Sequence, residues 1–232
     1  GVAAAATFAR AEAARAAAEW RCDALSDPEW TVSKRQQSSV RIRPETMLTA
    51  ADAAADRELK LVKVPLGRAA ATSFDPDAQI DLSRFFSSRK DAETLGAARV
   101  AKIMEGSLKK QASNPESTLK GVAVDAASAA ASERAGRRYV AYDYVADACR
   151  RISEDGECLR RSKRLVAASV SVSLESQART LEEQRRMDAG ELEQRYIDTL
   201  WIFTASAPEK GATDATRIAL RRVADSFAVL AD

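Results

Sequence analysis

Apolar and polar positions alternate most clearly over residues 164–174. Val166, Ala168, Val170, Val172 and Leu174 share one face, and Leu165, Ala167, Ser169, Ser171 and Ser173 share the other. A period of two with one apolar face predicts a strand. Residues 199–207 predict a second, with Trp201 and Phe203 opposite Leu200 and Ile202. Both of its faces are apolar, which places it inside a sheet covered on both sides. Residues 59–64 set Leu59, Leu61 and Lys63 against Lys60, Val62 and Val64 and stop at Pro65; residues 40–43 alternate and stop at Pro44. Residues 121–131, carrying Val122 and Val124, and residues 139–149, with Val140, Tyr142 and Tyr144 aligned, predict two further strands about a turn at 133–137.

Helical spacing takes over elsewhere. Asp91 can cap a helix running to Gln111, with Glu93 and Thr94 in its first turn and Leu95, Val100, Ile103, Met104 and Leu108 along it; Asn114-Pro115 closes it. A last helix opens at Thr213 or Asp214 and aligns Leu220, Val223, Phe227 and Leu230, with Ala219 beside them, as a core-packing stripe. Residues 1–25 are alanine-rich and predict a helix with only Phe8 and Trp20 as large apolar groups, ended by Asp27-Pro28. Residues 2–6 followed by Ala9-Arg10-Ala11 are similar to the end of a targeting segment, and equally fit a mature arm that docks on a partner. Residues 175–195 are rich in charge, including Glu182, Glu183, Arg185, Arg186, Glu191 and Glu193, with Leu181 and Leu192 as the few apolar anchors. They read as a projecting helical arm or a solvated loop. Hairpin-like strands with separated helices predict an α+β fold. The chain divides into an extension at 1–26 and a domain at 27–232 with a charged insertion at 175–195.

Composition narrows the chemistry. The 232 residues carry a net charge of only +2, so no global cationic field is available for nucleic acid. No apolar run approaches the roughly 20 residues of a bilayer span, so the expectation is a chain peripheral to membranes. Histidine is absent, which removes the commonest general base, the Ser-His and Cys-His pairs and imidazole ligands. Neither G-x-G-x-x-G nor a P-loop occurs. The expectation is a protein without a catalytic residue, cofactor or metal ligand.

Four candidate features remain. Cys149 and Cys158 flank a polar stretch containing Asp155-Gly156; they are either a disulfide across a turn or two unpaired small residues. Arg150, Arg151, Arg160, Arg161, Lys163 and Arg164 bracket the same turn, and are either a surface for acidic partners or a solvated tip. Trp20 and Trp30 are candidate interface anchors, whereas Trp201 belongs in the core. Asp75-x-Asp77-x-Gln79-x-Asp81 imitates a calcium loop, but Ile80 and Phe86 stand where glycine and glutamate are needed, so it reads as an acidic loop before a turn.

The second half resembles the PsbP-domain family. Tyr139-Val-Ala-Tyr-Asp-Tyr, a polar turn and Arg164-Leu-Val-Ala-Ala-Ser-Val-Ser-Val look like its central hairpin. Leu200-Trp-Ile-Phe-Thr-Ala-Ser-Ala-Pro-Glu-Lys resembles a later strand, and Arg217-Ile-Ala-Leu-Arg-Arg-Val-Ala-Asp-Ser-Phe its closing helix with a Ser-Phe ending. Upstream, Ser39-Val-Arg-Ile-Arg-Pro and residues 59–65 are similar to its opening strands. The resemblance implies an α/β/α sandwich around an antiparallel sheet, in the chloroplast thylakoid lumen. It implies a non-catalytic extrinsic subunit contacting photosystem core or antenna subunits, supporting electron transport or oxygen evolution; a transient assembly factor is the alternative. Partner contacts are then expected from Trp20, Arg150, Arg151, Arg160, Arg161, Lys163, Glu182, Arg185 and Arg186. Two departures stand out: the 175–195 insertion replaces a tight turn between the family's last strands, and the N-terminus does not resemble the family's short tail.

Overall fold

The computed structural model describes residues 20–36, 43–67, 74–153, 155, 157–176, 178, 180–193 and 195–230. In chain order the elements are β1 (Trp20–Cys22), a 3-10 turn (Asp23–Ser26), β2 (Thr31–Arg35), β3 (Glu45–Asp52), β4 (Arg57–Pro65), α1 (Pro76–Ser87) and α2 (Arg89–Ala112). They continue with β5 (Leu119–Arg134), β6 (Arg137–Ile152), β7 (Cys158–Ser176), α3 (Leu181–Asp188), β8 (Tyr196–Pro208), α4 (Asp214–Asp225) and β9 (Phe227–Val229). Among the described residues, seven strands form one sheet in the order β2-β3-β4-β8-β7-β6-β5, and β1 pairs with β9 apart from it. Every pairing is antiparallel. The fold is therefore α+β.

Helices cover both faces of the sheet, and the alternation in β7 and β8 assigns the residues to each. On one face α1 and α2 press Leu82, Phe85, Val100 and Met104 onto Val140, Tyr142, Ala168, Val170 and Leu200. On the other, α4 and the β1–β9 pair pack Leu220, Trp20, Phe227 and Val229 over Leu59, Leu61, Tyr139, Trp201 and Phe203. Phe227 stacks on Phe203 at 5.1 Å and meets Tyr139 edge-on at 6.2 Å. Arg134 closes this side by donating to the carbonyls of Ala224, Asp225 and Phe227, at and beyond the C-terminal end of α4. A cation at a helix C-terminus meets both the free carbonyls and the negative end of the dipole.

Several expectations need correction. Residues 1–19 lie outside the described residues, and residues 20–26 form β1 and a 3-10 turn rather than the end of an alanine helix. Pairing of Trp20 with Val229 and Cys22 with Phe227 overrides local helix propensity. Trp20 is fully buried and its indole N–H donates to the Gln36 carbonyl at 2.9 Å, so it is a core residue and not a partner contact. Trp30 is also buried, at 7% exposure, with the Arg57 guanidinium 5.2 Å over its ring. The strand expected at 40–43 falls largely outside the described residues; Arg43 and Pro44 precede β3. The acidic Asp75–Asp81 motif opens α1 instead of forming a loop. Asp75 is its N-cap, accepting from Ala78 N at 2.6 Å, Pro76 follows, and Asp81 is bound by Arg99 at 2.9 Å. The helix expected to Gln111 is broken at Gly96, whose φ of 70° only glycine adopts readily. The last helix stops at Asp225, and Phe227 joins the core from β9, not from the helix stripe.

Candidate functional site

Strands β6 and β7 run past the edge of the helical layers and meet in a polar turn. Ser153 and Glu157 close it: Ser153 N donates to Glu157 O at 2.8 Å, and Glu157 N to Ser153 Oγ at 3.0 Å. Behind the turn, Cys149 and Cys158 form a disulfide with their Cα atoms 5.6 Å apart. The antiparallel register faces Ile152 with Cys158 and Cys149 with Arg161, with irregularities on either side of Arg151.

The basic residues around this clamp divide into two sets. Arg164 is only 4% exposed. It donates to Asp56 Oδ1 at 3.2 Å, to the Asp56 carbonyl at 2.7 Å and to Ser206 Oγ at 3.1 Å. It is a buried tie between the β3–β4 turn and β7, which corrects its placement in an exposed cluster. Arg150 reaches Glu58 at 2.8 Å and Asp56 at 3.6 Å, and Arg161 reaches Asp147 at 3.5 Å. These three are neutralised within the chain. Arg151, Arg160 and Lys163 are exposed and make no ion pair among the described residues. Arg151 and Arg160 are moreover direct cross-strand partners. Like charges set opposite each other destabilise a strand pair. Between Cys158 and Arg160, Leu159 stands 57% exposed.

Sequence reasoning brought the arginines together but missed the acids that sort them. Asp56, Glu58 and Asp147 decide which cations remain free, and the first two lie on a hairpin about a hundred residues away. The charged arm is a separate feature. Thr180 caps α3 by accepting from Glu183 N at 3.0 Å. Glu182, Arg185 and Arg186 are exposed on it, and Arg186 pairs with Glu191 at 3.3 Å. Its anchor is the buried Met187 rather than Leu181, which is 67% exposed.

At the far end of β7 lies a polar group that the alternation did not announce. Lys63, 2% exposed, meets Glu175 Oε2 at 2.5 Å and sits 5.1 Å over the Trp201 ring. Trp201 Nε1 donates to Ser173 Oγ at 2.8 Å, and Ser173 Oγ donates to Glu175 Oε1 at 3.0 Å. Each member satisfies the next, as a buried polar network must. Among the described residues, no group of three or more His, Cys, Asp or Glu side chains is placed to hold a metal ion. Among them too, no helix is long and apolar enough to cross a membrane.

Comparison with known proteins adds little. No family model matches the chain. No curated protein matches it. Among solved structures, LpqN of Mycobacterium tuberculosis, described as involved in cell envelope biogenesis, aligns over 88% of this chain and 80% of its own, at 14% identity and a TM-score of 0.35.

Proposed function

We propose that the chain is a PsbP-like extrinsic protein of the thylakoid lumen, non-catalytic, that attaches to the lumenal side of a photosystem through its surface and stabilises that complex. The observation that carries this reading is spatial. Of the six segments that resemble the PsbP-domain family, four fall on β4, β8, β7 and β6, which are consecutive neighbours in the sheet, and a fifth forms most of α4 and the start of β9, packed over that sheet; the sixth, residues 39–44, lies largely outside the described residues. Segments similar one by one are thus parts of one half-fold. Helices on both faces of an antiparallel sheet agree with the sandwich that the resemblance implies.

Fractionation of thylakoids on a density gradient, followed by mass spectrometry, tests the proposal. A stoichiometric subunit co-migrates with a mature photosystem supercomplex and is released by salt of about 1 M, where charge-based contacts are screened. Recovery only on immature complexes identifies an assembly factor instead, and recovery outside the thylakoid overturns the reading.

A further inference from the structure

We infer that the β6–β7 tip is a docking site for a carboxylate-rich protein segment, with Arg151 and Arg160 as its recognition charges and the Cys149–Cys158 disulfide as the clamp that keeps them together. The inference begins with a local conflict. Arg151 and Arg160 face each other across two strands, and neither has an ion-pair partner among the described residues. Cross-strand repulsion of this kind opposes the pairing that the hairpin needs. A carboxylate at either position would have relieved it, as Asp147 does for Arg161 and as Glu58 does for Arg150. The disulfide lies within this same stretch and holds the strands where the charges push them apart. A cross-link of a short loop that offsets a built-in repulsion preserves a concentrated positive surface.

The chemistry of the tip selects the occupant. Guanidinium groups bind carboxylates bidentately, and two of them set opposite each other across a strand pair match clustered Asp or Glu side chains. Leu159, which lies between Cys158 and Arg160 in the chain, is exposed and offers an apolar contact at the same tip. An anionic bilayer fits less well, because the exposed carboxylates of Asp155 and Glu157 occupy the turn itself and would meet the headgroups first. Docking of acids at the tip does not depend on the partner being a photosystem.

The decisive property is opposition between stability and binding. Arg151→Glu converts the repelling pair into an attracting one. It should raise the midpoint of thermal unfolding while lowering affinity for a fluorescein-labelled polyglutamate peptide by about tenfold. A residue with a purely structural role would not move the two readouts in opposite directions. The double variant Arg151→Gln/Arg160→Gln, which removes charge without creating a pair, should weaken the peptide to a similar extent. Cys149→Ser/Cys158→Ser, with the arginines intact, should bind the peptide several-fold more weakly. Wild-type binding should fall as sodium chloride rises. Unchanged peptide affinity in Arg151→Glu and in the glutamine double variant overturns the proposal. So does stronger binding to phosphatidylglycerol vesicles than to the peptide. If the cysteine variant does not fold, the arginine variants, whose disulfide is intact, still decide the matter.

Discussion

Strand β7 carries charge at both ends, and the two ends treat it in opposite ways. At the Glu175 end, one cation is buried and every polar group has a partner: Lys63 on Glu175 and over Trp201, Trp201 on Ser173, Ser173 on Glu175. At the Arg160 end, the cations other than Arg164 are exposed, three make no ion pair among the described residues and two oppose each other. The first arrangement is what a folded chain requires when a charge leaves water, since an unpaired buried charge is far more costly than a paired one. The second works against folding and is tolerated because water and a disulfide relieve it. The contrast separates charge that serves the fold from charge that the fold merely carries.

Breaking the buried end should have the largest effect. Glu175→Ala removes the carboxylate that meets Lys63 at 2.5 Å, and removal of one member of a buried pair typically costs about 3 kcal/mol or more. Urea unfolding should show this loss. Lys63→Met/Glu175→Leu, which removes both charges, should recover most of it. If the single and double variants are equally unstable, packing and not the ion pair holds this end together.

The clamp comes next. Replacing both cysteines by serine removes a short-loop cross-link, and the chain-entropy estimate for such a loop is on the order of 2–3 kcal/mol. The loss should be measurable as a lower urea midpoint. It should shrink in an Arg151→Glu background, because the clamp then no longer opposes a repulsion; additive effects would separate the disulfide from the arginines.

Why one end of β7 was readable and the other was not follows from where the partners sit. The alternation over residues 164–174 and the two-sided apolar run at 199–207 are local patterns, and both became strands, although in β7 Leu174 of the apolar face is exposed while Ser169, Ser171 and Ser173 of the other face are buried. Elements that exist only through distant pairing were illegible. β1 and β9 are three residues each and meet across the length of the chain. β2 lies at the edge and is exposed throughout, so no apolar period marks it. α1 hid behind its own N-cap, because Asp75 and its neighbours read as a loop motif before they read as a helix start. The site divides along the same line. A cluster of arginines shows in the sequence, but the burial of Arg164 depends on Asp56, 108 positions away.

An intermediate case lies on the β3–β4 turn. Asp52 accepts from Arg57 Nε at 3.0 Å and Nη2 at 2.6 Å, and from the amides of Ala54 and Ala55. The Arg57 hydrogen bonds above all, with the two amides, hold its carboxyl below the usual carboxylate range. A depressed pKa contributes stability that is present above the unfolded value of about 3.9 and is lost as pH falls through the folded one. Asp52→Asn should therefore be less stable than wild type at neutral pH, and the gap should close on acidification below about pH 4. A gap that persists at low pH would assign the loss to packing of the turn.

The smallest effect sharpens the comparison most. Cross-strand charge pairs contribute roughly 0.2–1 kcal/mol, and at an exposed site that contribution is screened. The stability that Arg151→Glu gains over wild type should therefore be largest in dilute buffer and should narrow as sodium chloride approaches about 1 M, where the screening length is only about 3 Å. The Glu175→Ala deficit, arising from a cation that is 2% exposed, should hardly respond to the same salt. A difference between the two variants that narrows on one side only would show that both ends of one strand obey the same electrostatics in different surroundings. If the Arg151→Glu advantage is independent of salt, the gain comes from strand propensity or packing at position 151, and the repulsion inferred from the register is too weak to shape the tip.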